Sequence, residues 1–166
     1  MMSEKKYRVA IVPGSFDPIT NGHVDIIRRA AEMSEKVYVA VMINEQKKYL
    51  FSLDERTEIA RAACAGLGDV EVISSSGMLF ELARELSADA IIKGVRNETD
   101  REYELLMAKY NAEHYPNAQT VLLDAAEELV DVSSTLVRSF IGEEKKIEKY
   151  MPSAAAKLAK KIIKNR

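Results

Sequence analysis

Five short runs rich in β-branched and small apolar residues punctuate this chain of 166 residues, at 7–12, 36–43, 70–73, 90–92 and 120–123. Between them lie longer amphipathic patterns at 20–33, 53–65, 78–86 and 99–115. Short runs of this kind suit strands covered on both faces, and apolar positions at helical spacing suit helices that cover them. Parallel neighbours in a sheet need a crossover between them, so a strand–helix–strand–helix rhythm predicts an α/β fold with one doubly wound, five-stranded parallel sheet. Ser52-Leu53-Asp54-Glu55 has the form of a capping box, which sets the start of the second helix. After residue 123 the rhythm turns helical, at 133–141 and again at 152–164, with Pro152 suited to a first helical turn. No repeat or linker divides the chain. Its length suits one domain spanning 1–166, with a core at about 7–141 and a helical C-terminal tail at about 142–166.

In sheets of this class ligands bind at the carboxyl ends of the strands, near the point where strand order reverses. The segments that follow the five runs are 13–20, 44–51, 74–78, 93–100 and 124–135. The first reads Pro13-Gly14-Ser15-Phe16-Asp17-Pro18-Ile19-Thr20-Asn21-Gly22-His23. Glycines here let a ligand or a neighbouring backbone come close, and the following helix opens with unpaired N–H groups that favour an anion. His23 falls in its first turn, placed to donate a hydrogen bond to a phosphate oxygen. Later segments carry Lys47 and Lys48, then Lys93-Gly94-Val95-Arg96, then Val132-Ser133-Ser134-Thr135. Lysine is a mobile point charge and arginine a planar fork for phosphate oxygens. Taken singly, each has an ordinary reading: a βα turn, a solvated lysine, a helix cap. Their convergence on one rim of one sheet favours a polyphosphate site.

Bulk properties narrow the partners. A net charge of −2 and a pI near 5.8 give no global field to recruit nucleic acid, so an anion must be held by local groups. No apolar run reaches membrane-spanning length, and the charged stretch 1–8 does not read as a signal peptide. The single cysteine, Cys64, sits among Ile59, Ala60 and Ala63 as a small core residue, and no Cys/His cluster suggests a metal centre. The expected compartment is the reducing cytoplasm. His114 lies away from the other signatures and reads as structural or exposed. Glu102 and Glu104 are two apart on a helix and form no acid/base dyad.

The junction Gly14-Ser15-Phe16-Asp17-Pro18 with Thr20-Asn21-Gly22-His23, then Lys93-Gly94-Val95-Arg96, Glu102-Tyr103-Glu104 and Val132-Ser133-Ser134-Thr135, resembles the bacterial phosphopantetheine adenylyltransferases. These belong to the nucleotidyltransferase superfamily with its T/HxGH motif. The resemblance runs in order over nearly the whole chain. It implies a Rossmann-like nucleotidyltransferase fold and the reversible transfer of an adenylyl group from ATP to 4′-phosphopantetheine, giving dephospho-coenzyme A and pyrophosphate. It implies His23, Lys47 and Arg96 as catalytic residues. ATP would be held by Ser15, Phe16, His23, Gly94, Val95, Arg96 and Glu104, and by Leu129, Val130, Asp131, Val132, Ser133, Ser134 and Thr135. The acceptor would meet Ser15, Lys47, Lys93 and Leu79, with Met78 beside the pantetheine arm. Magnesium would arrive with ATP rather than in a carboxylate cage of the protein. The resemblance further implies a homohexamer and raises coenzyme A as a feedback ligand. Arg101 and the stretch Leu129-Val130-Asp131 stand where the family pattern is more aromatic, so adenine packing there is expected to differ. Two other readings stay open at this level: a related adenylyl- or cytidylyltransferase acting on nicotinamide mononucleotide or an alcohol phosphate, and a nucleotide-binding regulator without catalysis.

Overall fold

A computed structural model describes residues 4–166; Met1–Ser3, part of the charged N-terminal stretch, lie outside the described residues. The strands are β1 (Tyr7–Gly14), β2 (Ser34–Met42), β3 (Val70–Ser75), β4 (Ala90–Val95) and β5 (Gln119–Asp124). The helices are α1 (Asn21–Met33), α2 (Leu53–Cys64), α3 (Leu79–Glu85), α4 (Glu98–His114), α5 (Ser134–Ser139), α6 (Glu144–Tyr150) and α7 (Ser153–Lys164), with a 3₁₀ turn at Glu127–Leu129. All strand pairs are parallel and the sheet order is β3-β2-β1-β4-β5. The chain steps outward from β1 to β3, then returns across the sheet to β4 on the other side of β1. Strand order therefore reverses between β1 and β4, which opens a crevice at their carboxyl ends.

Alternation along the strands builds two cores. Ala10, Val12, Val37, Val39, Val41, Ala90 and Ile92 face α1, α2 and the C-terminal helices, while Val9, Ile11, Ala40 and Ile91 face α3. Residues beyond 141 contribute to the first core: Ile147, Met151, Ala155, Ala156 and Ala159 are all buried. The Ser52 capping box is present, with Ser52 Oγ accepting from Glu55 N–H and Glu55 accepting from Ser52 N–H. Cys64 is buried, and burial pushes its thiol up to about 11, so it is an inert core residue.

Several boundaries differ from the sequence expectation. β4 runs on through Lys93, Gly94 and Val95, which the pattern placed in a loop, because Lys93 and Gly94 pair with Leu122 and Leu123 of β5. Helix α6 falls inside the expected helical tail of 142–166, but the pattern does not mark it as an element of its own: it is about two turns of mostly charged sequence with only Ile147 buried, too short for periodicity to reveal. Pro152 sits at the N-cap of α7, one position before the first turn. His114 stacks with Phe80 and Tyr110 in a surface aromatic cluster, 4.5 and 4.4 Å from their ring centroids. Among the described residues no helix is long and apolar enough to cross a membrane.

Candidate active site

At the β1/β4 crevice the structure has an open cleft of about 590 Å³. One wall is the β1–α1 junction. Thr20 caps α1, its hydroxyl accepting from His23 N–H, and the box closes reciprocally because His23 Nδ1 accepts from Thr20 N–H at 2.9 Å. An imidazole nitrogen that accepts a backbone N–H carries no proton, so the neutral ring holds its proton on Nε2. Burial first, then the positive charge of Arg96, push the His23 pKa down to about 4. His23 is thus a neutral hydrogen-bond donor at neutral pH. Its ring packs edge-to-face with Phe16, 5.1 Å between centroids, and Phe16 holds a left-handed φ of 49°, a strained conformation for a residue with a side chain.

The other walls supply charge. Lys47 projects from the exposed β2–α2 loop. Lys93, on β4, is paired with Glu104 of α4 inside the cleft. Arg96 is held at the opening of α4 by Asp100, whose carboxylate accepts from Arg96 Nε at 3.0 Å and from its backbone N–H at 3.2 Å. A β-carbon at Gly94 would meet Ile26 Cγ1 at 2.8 Å, so glycine lets α1 close on β4 beneath the cleft. A β-carbon at Gly22 would press on the Val132 carbonyl at 3.3 Å, so the start of α1 and the 129–135 segment form one continuous wall.

The cleft brings together most of the expected residues: Ser15, Phe16, His23, Lys47, Lys93, Gly94, Val95, Arg96 and Glu104, with Leu129, Val132, Ser133, Ser134 and Thr135. Four do not line it. Val130 and Asp131 lie between the 3₁₀ turn and α5 outside the lining, Met78 is exposed before α3, and Leu79 begins α3, packing against the second core. The serine hydroxyls are also engaged within the protein: Ser133 Oγ caps α5 by accepting from Leu136 N–H, and Ser134 Oγ donates to the Pro18 carbonyl at 2.8 Å. Arg101 is likewise accounted for, since it pairs with Asp124 at the end of β5.

Sequence reasoning left Asp17, Asn44, Asp100, Tyr103 and Arg138 of the cleft lining without a role. Arg138 donates to the Asp17 carbonyl at 2.8 Å and to Thr135 Oγ1 at 3.1 Å, joining α5 to the β1–α1 junction. Its signal was its position on the same short helix as Ser134, one turn beyond. Among the described residues no three His, Cys, Asp or Glu side chains gather as a metal site.

The cytidylyltransferase-like family model matches residues 11–140, the stretch that builds the cleft. A phosphopantetheine adenylyltransferase of Lactobacillus helveticus is 39% identical over 95% of this chain and 96% of its own length. One from Thioalkalivibrio sulfidiphilus is 47% identical over 78% of this chain and 82% of its own. The chain belongs to the phosphopantetheine adenylyltransferase family. The fold of this family member also matches a solved structure, a Plasmodium falciparum nicotinic acid mononucleotide adenylyltransferase complexed with NaAD. That likeness has a TM-score of 0.62 and 16% identity, and covers 96% of each chain. At that identity the likeness concerns the Rossmann-like architecture.

Proposed function

We propose that this chain, as a single nucleotidyltransferase domain, transfers the adenylyl group of ATP to 4′-phosphopantetheine, giving dephospho-coenzyme A and pyrophosphate. One observation carries the reading beyond family membership. His23, Lys47, Lys93 and Arg96 reach one cleft from three different segments, α1, the β2–α2 loop and the end of β4, three of the side chains cationic and one a neutral donor.

The chemistry needs little acid or base help, because the attacking group is already a phosphate anion. An acceptor phosphate oxygen forms a bond to the α-phosphorus while the bond from that phosphorus to the β-bridging oxygen breaks and pyrophosphate leaves. The difficulty is bringing anions together, aligning them, and stabilising charge on the α-phosphate. In this reading Lys47 and Lys93 hold the incoming phosphate, and Lys93 exchanges its Glu104 partner for that phosphate. His23 Nε2–H donates to an α-phosphate oxygen as it gains charge. Arg96 steadies the leaving pyrophosphate side. Ser15 lies between the two anions, and the backbone from Gly94 to Arg96 follows the nucleotide. The 129–135 segment flanks adenine and the outer phosphates, with Glu104 near the nucleotide. The pantetheine arm leaves the cleft toward Leu79 and Met78. A divalent cation, magnesium in the cell, enters as part of the ATP substrate.

We further propose a homo-oligomer, the homohexamer of the family resemblance. No residue of α4 is buried, and Tyr103, Leu106 and Tyr110 form a stripe on it that is 59%, 62% and 40% exposed. Large apolar side chains at helical spacing on an open face suit a subunit contact. The apolar side of α3, by contrast, is spent on the core through Leu82 and Ala83. Sedimentation of the protein beside Leu106→Glu tests this, the variant shifting toward smaller species.

The functional reading is tested by pyrophosphate release with ATP and a panel of phosphorylated acceptors. Release that depends on 4′-phosphopantetheine supports it. Release with nicotinamide mononucleotide or an alcohol phosphate instead, or ATP binding without turnover, would overturn it.

A further inference from the structure

Arg56 of α2 is an arginine with no exposed surface at all. It makes no ion pair among the described residues, and its Nη2 is buried without a hydrogen-bond partner. A buried guanidinium that the Asp17 charge attracts only through space, with no direct ion pair, is a poor device for stability, since an apolar side chain of similar size would avoid the desolvation cost. What the guanidinium does instead is gather backbone. Nη1 donates to the Ser15 carbonyl at 2.8 Å and to the Met42 carbonyl at 3.0 Å, and Nε donates to the Phe51 carbonyl at 3.2 Å. Those carbonyls belong to the β1–α1 junction, the end of β2, and the end of the β2–α2 loop.

The same loop carries Lys47 at its exposed tip. Its two ends are pinned around Arg56. The guanidinium lies 3.9 Å from the centroid of the Tyr49 ring, and Tyr49 Oη accepts from Asn44 N–H at 2.8 Å, folding the loop back on its start. Lys47 N–H closes the turn on the Asn44 carbonyl at 2.9 Å. On the far side, the buried Asp17 carboxylate accepts from Leu50 N–H at 2.9 Å and Phe51 N–H at 3.0 Å. The loop with the acceptor-side lysine and the junction with Ser15 therefore share one rigid anchor.

Resting on the functional reading above, we propose that Arg56 is a positioning residue for Lys47: it fixes the β2–α2 loop against the Ser15 backbone so that the lysine meets the acceptor phosphate in line with ATP. Its planar fork is what the role requires, because the three carbonyls are reached from two separate nitrogens, Nε and Nη1, whereas the donors of a lysine all diverge from one nitrogen. Misplacement of a reacting group by about an ångström costs up to about a hundredfold in rate.

The test is a double-mutant cycle of Arg56→Lys with Lys47→Ala, read as kcat and KM for 4′-phosphopantetheine, with ATP affinity measured separately by calorimetry. Arg56→Lys alone is expected to lower kcat/KM for the acceptor by about tenfold or more while ATP affinity changes by less than about threefold. In the Lys47→Ala background the same substitution is expected to cost less than about threefold, because the residue it positions is gone. Equal losses in both backgrounds, or a loss of ATP affinity as large as the loss of acceptor use, would overturn the proposal. If circular dichroism shows that Arg56→Lys does not fold, Tyr49→Phe, which removes only the Asn44 bond beneath the guanidinium, takes its place in the cycle with the same two outcomes. Wild-type protein active with 4′-phosphopantetheine but giving an additive cycle overturns the role of Arg56 alone. Wild-type protein inert toward that acceptor overturns the functional reading.

Discussion

Replacing His23 with alanine removes two hydrogen bonds that serve different properties. The first is the bond from Thr20 N–H to Nδ1, at 2.9 Å. Thr20 is fully buried, so its loss leaves a donor without a partner and lowers stability by about 1–3 kcal/mol. The second is the Nε2–H donor facing the cleft. Loss of one donor aimed at developing charge costs about 10²–10³ in kcat, or roughly 2.7–4 kcal/mol, with smaller effects on ground-state binding. Glutamate separates the two. At the third position of a threonine-led capping box its carboxylate accepts from Thr20 N–H, so His23→Glu regains most of the lost stability. It offers no donor and brings a negative charge to the phosphates, so its kcat stays at or below that of His23→Ala. Urea unfolding reads the first property and single-turnover pyrophosphate release the second. The reasoning is refuted if His23→Ala keeps more than about a tenth of wild-type kcat, or if His23→Glu recovers activity along with stability.

Lys47→Ala is expected to weaken use of 4′-phosphopantetheine at least tenfold more than ATP binding, on the order expected for a charged hydrogen bond; steady-state kinetics with each substrate varied checks it, and a defect confined to ATP affinity would remove Lys47 from the acceptor side. Gly94→Ala drives a β-carbon into Ile26 and should destabilise the fold by about 1–3 kcal/mol while weakening ATP binding, read by thermal unfolding and calorimetry. The lowered His23 pKa also predicts a pH dependence. Below about pH 6.5 the unfolded chain takes up a proton on His23 that the folded protein refuses until about pH 4, so this contribution to stability is present above 6.5 and declines toward 4, by at most about 3 kcal/mol. The stability advantage of wild type over His23→Ala should therefore shrink across that window, and parallel urea curves from pH 7 to pH 4 would contradict the assignment.

Much of the architecture was legible because it is written in contiguous residues. β-Branched runs and helical spacing marked all five strands, and Ser52 and Glu55 marked the start of α2, since a capping box needs only four neighbouring positions. The phosphate-binding character of the rim was legible for the same reason: glycines, lysines and hydroxyls follow the strands in sequence. The features that escaped depend on partners far along the chain. Lys93 and Gly94 read as loop because their pairing with β5 has no local signature. Helix α6 owes its place to a single buried isoleucine, and the anchoring of Ser134 to Pro18 spans 116 positions.

Arg56 marks the boundary between the two kinds of information. In sequence it is one more charged residue on an amphipathic helix, where an arginine ordinarily faces water. Only the crossing of α2 beneath the ends of β1 and β2 buries it against three carbonyls. The chain alone determined which chemical groups exist and which elements carry them, because propensity and periodicity are local. The tertiary structure alone decided the strand order that makes the cleft and the anchor shared by Ser15 and the Lys47 loop. Each of these depends on which distant backbone groups the fold brings within hydrogen-bonding distance.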